Sequence, residues 1–272
     1  MNVLEFDVDG LHGYDTGGSD RLPVIYHHGT PNLGVPPEPL FADAERLGIR
    51  FVGYDRPGYG GSAPDPGRDV ASAARHTARI ADELGLGQFA VLGHSGGGPH
   101  ALACAALLPG RVRAAVSISG LAPYDAAGLD WFAGMASPAA LRAAAQGRAA
   151  KEAYEAAPTE DDPGFIAADW AALEGVWGWF GTVVAPAMAA GPAAAIDDDL
   201  AYVTPWGFDP AVITVPVLLV HGGRDASVPS SHSRWLAAHI ASAELRISPD
   251  DGHISVLDRA AVPALEWLVR SR

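Results

Sequence analysis

Residues 89–98 read Phe89-Ala-Val-Leu-Gly-His-Ser-Gly-Gly-Gly98, and the reading of this stretch decides the fold. An apolar run passes into Gly-His-Ser-Gly-Gly and then into small residues, 98–108, that suit a helix. The pattern G-x-S-x-G between a strand and a helix predicts a sharp turn that strains the serine backbone and projects its Oγ above a sheet. Gly93 and Gly97 stand where strand and helix nearly collide and a Cβ has no room. The helix start leaves free N–H groups facing a developing anion. A glycine-rich turn can also cradle phosphate, but no Gly-Lys-Ser/Thr follows, and this is not the first strand–helix turn of the chain. Ser95 is the candidate nucleophile.

Working outward, apolar β-rich runs occur at residues 24–28, 50–54, 89–93, 112–119, 215–221 and 243–248. Most are continuous rather than alternating, as in strands buried on both faces. Helix-length stretches lie at 36–47, 69–84, 96–108, 229–240 and 254–269. The alternation predicts an α/β protein, a mostly parallel sheet flanked by helices with right-handed crossovers. It breaks once. Residues 124–209 hold Ala-rich helix-like stretches (141–157 and 165–180) and no obvious strand. They also hold Trp131, Trp170, Trp177, Trp179 and Trp206, five of the seven tryptophans. Connections in α/β units are short, so this segment is expected to be a helical cap inserted into a core made of residues 1–123 and 210–272.

A serine hydroxyl needs a base to take its proton, and the base needs an orienting carboxylate. The run ending at Val220 leads into His221-Gly-Gly-Arg-Asp225, and the run ending at Ser248 leads into Pro249-Asp-Asp-Gly-His253. Asp225 and His253 therefore fall in loops that open on the carboxyl edge of the sheet, where Ser95 is presented. Asp125, shortly after the 112–119 run, is a rival acid; Asp250 and Asp251 read as turn residues. An oxyanion needs two donors, and the Gly96 and Thr30 backbone N–H groups are nominated. Adjacent His27 and His28 on a strand point to opposite faces and do not make a metal pair. No metal and no cofactor is expected.

Together, His28-Gly-Thr-Pro31, Asp55-Arg-Pro-Gly-Tyr-Gly-Gly-Ser62, Gly93-His-Ser-Gly-Gly97, His221-Gly-Gly-Arg-Asp225 and Gly252-His253 resemble the α/β-hydrolase superfamily. The likeness is strongest to its small bacterial serine hydrolases with a helical cap after the sixth strand. It spans nearly the whole chain and is loosest over residues 124–209. The resemblance implies an eight-stranded, mostly parallel sheet, with a first antiparallel strand within residues 4–14. It also implies a triad of Ser95, Asp225 and His253, and a structural 55–62 loop in which Arg56 pairs locally. The expected activity is cleavage of small or medium carboxylic esters through an acyl-enzyme. A serine nucleophile disfavours the dehalogenase and epoxide-hydrolase branches. A proline iminopeptidase-like aminopeptidase is the alternative, although those enzymes typically carry Gly-Gly-Ser-Trp-Gly at the turn. Carbon–carbon bond hydrolysis, perhydrolysis and a non-catalytic binding protein of the same fold stand further back. Trp131, Trp177, Trp179 and Phe180 are expected to line an apolar pocket, in competition with the role of cementing cap to core.

Charge and composition bound the partners. The 272 residues carry 32 Asp and Glu against 18 Lys and Arg, a formal charge of −14. No basic run is present to neutralise phosphates, so neither nucleic acid nor an anionic membrane surface is expected, and the partner is a small-molecule substrate. A homodimer is left open. Residues 124–209 hold 13 of the acidic side chains against Arg142, Arg148 and Lys151, so the acidity belongs mainly to the cap. The expected role of Asp197-Asp198-Asp199 is a solvated face; the sharper alternative is attraction of amine-bearing substrates. The single cysteine, Cys104, rules out a disulfide framework and reads as a packed thiol. The first residues show no cationic and apolar leader pattern, and no run approaches the roughly 20 apolar residues of a membrane span, so a cytoplasmic protein is expected.

Overall fold

A hairpin opens the chain: β1 (Leu4–Val8) and β2 (Leu11–Asp15) are joined through Asp9 and Gly10, both at positive φ (47° and 80°). The computed structural model describes residues 1–157 and 161–271. Six further strands follow: β3 (Leu22–His27), β4 (Ile49–Tyr54), β5 (Phe89–His94), β6 (Val112–Ile118), β7 (Val217–Gly222) and β8 (Ala243–Ser248). They form one eight-stranded sheet in the order β1-β2-β4-β3-β5-β6-β7-β8. β1, β2 and β4 pair antiparallel in sequence, and every pairing from β4 through β3 to β8 is parallel.

Helices α1 (Phe41–Arg46), α2 (Ser72–Glu83) and α3 (Gly97–Leu107) follow β3, β4 and β5. Between β6 and β7 lie α4 (Ala139–Ala145), α5 (Arg148–Glu155), α6 (Ala167–Glu174), α7 (Phe180–Ala187) and α8 (Ala193–Tyr202). Helices α9 (Ser231–His239) and α10 (Val256–Arg270) complete the chain. Successive strand residues point to opposite faces, and each face has its own core. Val24, Tyr26, Leu92, Val116 and Leu218 pack with residues of α1 and α10. Ile25, Val91, Ala115 and Leu219 pack with residues of α2, α3 and α9. Burial on both sides explains why these strands are continuously apolar, each large side chain contributing about 1.5–3 kcal/mol.

Between β6 and β7 no described residue is in a strand. The expected helical stretch 141–157 is two helices, broken at Gly147, whose φ of 104° a residue with a side chain rarely adopts. The stretch 165–180 is α6, a 3₁₀ turn (Val176–Trp179) and the first residue of α7. Helix α8 carries Asp197-Asp198-Asp199, and here the expectation of a solvated face fails. Asp198 is fully buried, Asp197 is 7% exposed and Asp199 is only partly exposed. Among the described residues no helix is long and apolar enough to cross a membrane.

Candidate active site

The site grows from the end of β5. Ser95 follows that strand directly, and its φ of 54° places it in the left-handed region. Such strain persists only where the surroundings fix it. Here a Cβ on Gly93 would run into the Gly97 carbonyl, and one on Gly97 into the His27 carbonyl, so strand and helix close together around the serine.

The loops after β7 and β8 bring Asp225 and His253 to it. His253 Nε2 lies 2.9 Å from Ser95 Oγ, and His253 Nδ1 lies 2.7 Å from Asp225 Oδ2. Because the carboxylate accepts, Nδ1 carries the proton and Nε2 is free to accept from the serine. Asp225 Oδ1 accepts from the Ser227 and Val228 N–H groups at 3.0 and 2.8 Å, which fixes its carboxylate plane. His221 Nε2 approaches Asp225 Oδ2 at 3.3 Å while donating to the Val228 carbonyl at 2.7 Å. Burial pushes the Asp225 carboxyl up, but His253 and His221 beside it hold it well below the usual carboxylate range. Burial disfavours the His253 imidazolium, and the Asp225 carboxylate outweighs it, with Asp169 adding to it, so the imidazole is raised above its ordinary 6.5. The rival acid Asp125 is exposed and takes no part in this chain of bonds.

On the other side of Ser95 stand the two nominated donors. Neither the Thr30 nor the Gly96 N–H donates to a protein acceptor among the described residues. The loop that carries Thr30 is held by Arg56, whose guanidinium donates to the carbonyls of His28 and Gly29. Arg56 does not pair locally, as the resemblance implied. It pairs with Asp198 on α8, Nε to Oδ1 at 3.0 Å and Nη2 to Oδ2 at 2.6 Å, with both side chains buried. Arg68 Nη1 lies 2.7 Å from Asp198 Oδ1, and Tyr59 OH and Thr30 Oγ1 donate to Oδ2 at 3.0 and 2.6 Å. Burial alone would raise the Asp198 carboxyl; the two guanidinium groups hold it well below the usual range. One turn further along α8, Tyr202 OH lies 3.0 Å from the Gly96 carbonyl and 2.8 Å from Thr30 Oγ1. α8 thus braces both Thr30 and Gly96, the two nominated donors.

Helix α6 braces the histidine. Asp169, fully buried, accepts from the Ile254 and Ser255 N–H groups at 2.9 and 2.7 Å and from Ser255 Oγ at 2.8 Å. His94 Nε2 donates to the His253 carbonyl at 3.1 Å, and burial pushes the His94 imidazole down to about 3, so it is neutral.

These elements enclose a cavity of about 550 Å³ with Ser95 and His253 in its wall. Its apolar lining includes Leu121, Leu141, Phe165, Phe180, Val184 and Ile254, and Phe165 stacks on the His253 ring at 6.3 Å. Of the four aromatics expected there, Phe180 lines the cavity and Trp131, Trp177 and Trp179 do not. Trp131 Nε1 donates to the Ala122 carbonyl at 2.8 Å, and its ring meets Phe132 and His232 edge-on. Trp177 and Trp179 are buried in the core on the α10 side of the sheet. Their faces are set by how the helices dock, which helical spacing does not encode. Asn32 and Tyr202, which the sequence did not single out, also line the cavity, as does Asp199 of the acidic run. Asp199 is paired with Lys151 at 2.7 Å, and burial pushes its carboxyl up to about 6, against the opposing pull of the lysine.

A serine in a left-handed turn at the carboxyl end of an interior strand, bonded through a histidine to a carboxylate, defines a class of α/β proteins built to present a nucleophile. The chain belongs to the alpha/beta hydrolase fold family, whose sequence profile matches residues 23–260. Over 123 residues it is 34% identical to a non-heme chloroperoxidase of Streptomyces lividans, covering 44% of this chain and 45% of that protein. The chain thus spans less than half the length of that curated relative. Among solved structures it resembles an alpha/beta hydrolase fold protein from Nakamurella multipartita, at 28% identity and a TM-score of 0.63, over 99% of both chains. An enol-lactonase from Burkholderia xenovorans shares the fold at 18% identity and a TM-score of 0.71, over 98% of this chain and 99% of that one.

Proposed function

We propose that this protein is a serine hydrolase of small or medium carboxylic esters. The observation that carries the reading is the continuous hydrogen-bonded chain Ser95–His253–Asp225 at the wall of an apolar cavity, beside two backbone N–H groups that find no acceptor among the described residues. Ser95 Oγ attacks the ester carbonyl while His253 Nε2 takes its proton, and Asp225 holds the imidazolium by Nδ1–H. The Thr30 and Gly96 N–H groups receive the oxyanion, each such donor lowering the barrier by about 3–4 kcal/mol. The tetrahedral intermediate collapses as His253 returns the proton to the departing alcohol. Water, deprotonated by His253, then releases the acid from Ser95.

Ser95→Ala should lower ester turnover at least about 10⁴-fold without lowering the thermal midpoint. Turnover at the parent rate would show that another group attacks. The aminopeptidase alternative loses its motive: each carboxylate of Asp197-Asp198-Asp199 is already paired, with Arg148, with Arg56 and Arg68, and with Lys151. A second reading draws on the name of the Streptomyces lividans relative. In it, hydrogen peroxide replaces water in the second step, so that acyl-Ser95 gives a peracid and free serine.

A further inference from the structure

The cavity wall contains a carboxamide that the ester mechanism does not use. Asn32 lies two residues beyond Thr30, on the loop that offers the oxyanion donor, and is 6% exposed. Among the described residues its Oδ1 is buried with no hydrogen-bond partner. The side chain lines the cavity together with Ser95 and His253. It is close to the nucleophile: the position a Cβ on Gly29 would take lies 3.0 Å from Asn32 Nδ2 and 3.6 Å from Ser95 Cβ. Backbone groups around it are engaged elsewhere, as where Leu33 N–H donates to the Val183 carbonyl at 3.2 Å.

A carboxamide offers two donors and a two-lone-pair acceptor, and buried groups of this kind are almost always paired. Leaving one unpaired disfavours the folded state unless a ligand completes it, and groups kept for function at the expense of stability have this signature. The neighbouring polar wall, Thr30 and Tyr202, is already committed to Asp198 and Gly96. Asn32 is the amide that lines the cavity beside Ser95.

We infer that Asn32 is a substrate-recognition residue, and that the preferred substrates are short esters carrying a hydroxyl one or two carbons from the scissile carbonyl. A hydroxyl oxygen accepts from the amide Nδ2, the end of the side chain set toward Gly29 and Ser95. A substituent next to the carbonyl falls beside the loop that binds the carbonyl oxygen, which is where Asn32 stands. This inference rests on the ester-hydrolase reading and adds the chemical class of the substrate.

The test compares kcat/KM for ethyl 2-hydroxybutanoate and ethyl 3-hydroxybutanoate with that for ethyl butanoate, in the parent protein, Asn32→Leu and Asn32→Ala. The parent should prefer at least one hydroxy ester about tenfold or more, and in both variants that ratio should fall to near one. The thermal midpoint of Asn32→Leu should stay level or rise, because an apolar group replaces an unpaired one. A parent ratio near one, an unchanged ratio in the variants, or a lowered midpoint with equal loss on all three esters would overturn the inference. Fluorophosphonate labelling separates the two layers. Labelled Ser95 with no hydroxy preference removes the recognition role alone, whereas unlabelled Ser95 and no turnover removes the hydrolase reading and this inference with it.

Discussion

As the proposed base, His253 accepts the Ser95 proton only while it is neutral, so the acid limb of the rate profile should report its pKa. That pKa is raised above the ordinary 6.5, and the sign of the limb follows. Activity falls as pH drops through the raised value, because the imidazolium no longer accepts. Asp169 contributes to the elevation from behind the histidine, through a carboxylate bonded to Ile254 and Ser255. Asp169→Asn keeps an acceptor for those N–H groups and removes the charge. The acid limb of kcat/KM should therefore move to lower pH; a limb that stays in place would show that Asp169 only holds the loop. Nothing in the local sequence pointed to this residue. Asp169 stands three residues after the N-cap of its own helix, where an acid serves as a local cap, and it does accept from Ile166 N–H at 2.9 Å. Its other oxygen meets residues 85 and 86 positions away.

At the scale of elements, the strands and the strand–helix turn were legible because their signals are local. Continuous apolar runs mark buried strands, Gly93 and Gly97 mark a close approach, and Asp225 and His253 each follow a strand end. The helices between β6 and β7 were less so. Gly147 does break its stretch, a signal present in the sequence, but α8 was hidden by the acidic run it carries. Three consecutive aspartates look solvated until Arg56 and Arg68, more than 120 residues earlier in the chain, are seen to close over Asp198. Removing one partner of a buried ion pair leaves the other charge uncompensated, at a cost of about 3–5 kcal/mol. Asp198→Ala should lower the urea midpoint accordingly, and it should depress kcat as well because Thr30 loses its anchor. A stability change under about 1 kcal/mol would place the Asp198 cluster among weakly coupled surface pairs.

Over the whole molecule, the formal charge of −14 is less a property of the surface than its sum implies. Four of the 13 acidic side chains of residues 124–209 are turned inward. Asp198 meets two arginines from the segment between β4 and α2, Asp197 meets Arg148, Asp199 meets Lys151, and Asp169 caps the loop after His253. The helical segment therefore grips both sides of Ser95, through α8 on the Thr30 loop and through α6 on the His253 loop. Sheet, turn and helical segment converge on a single claim, that Ser95 is an activated nucleophile. Intact-mass spectrometry after incubation with a fluorophosphonate, followed by peptide mapping, measures that claim directly. One adduct per chain, located at Ser95 and lost in His253→Ala, is the predicted result. A folded protein that takes up no adduct, or takes it up at another residue, would contradict the account.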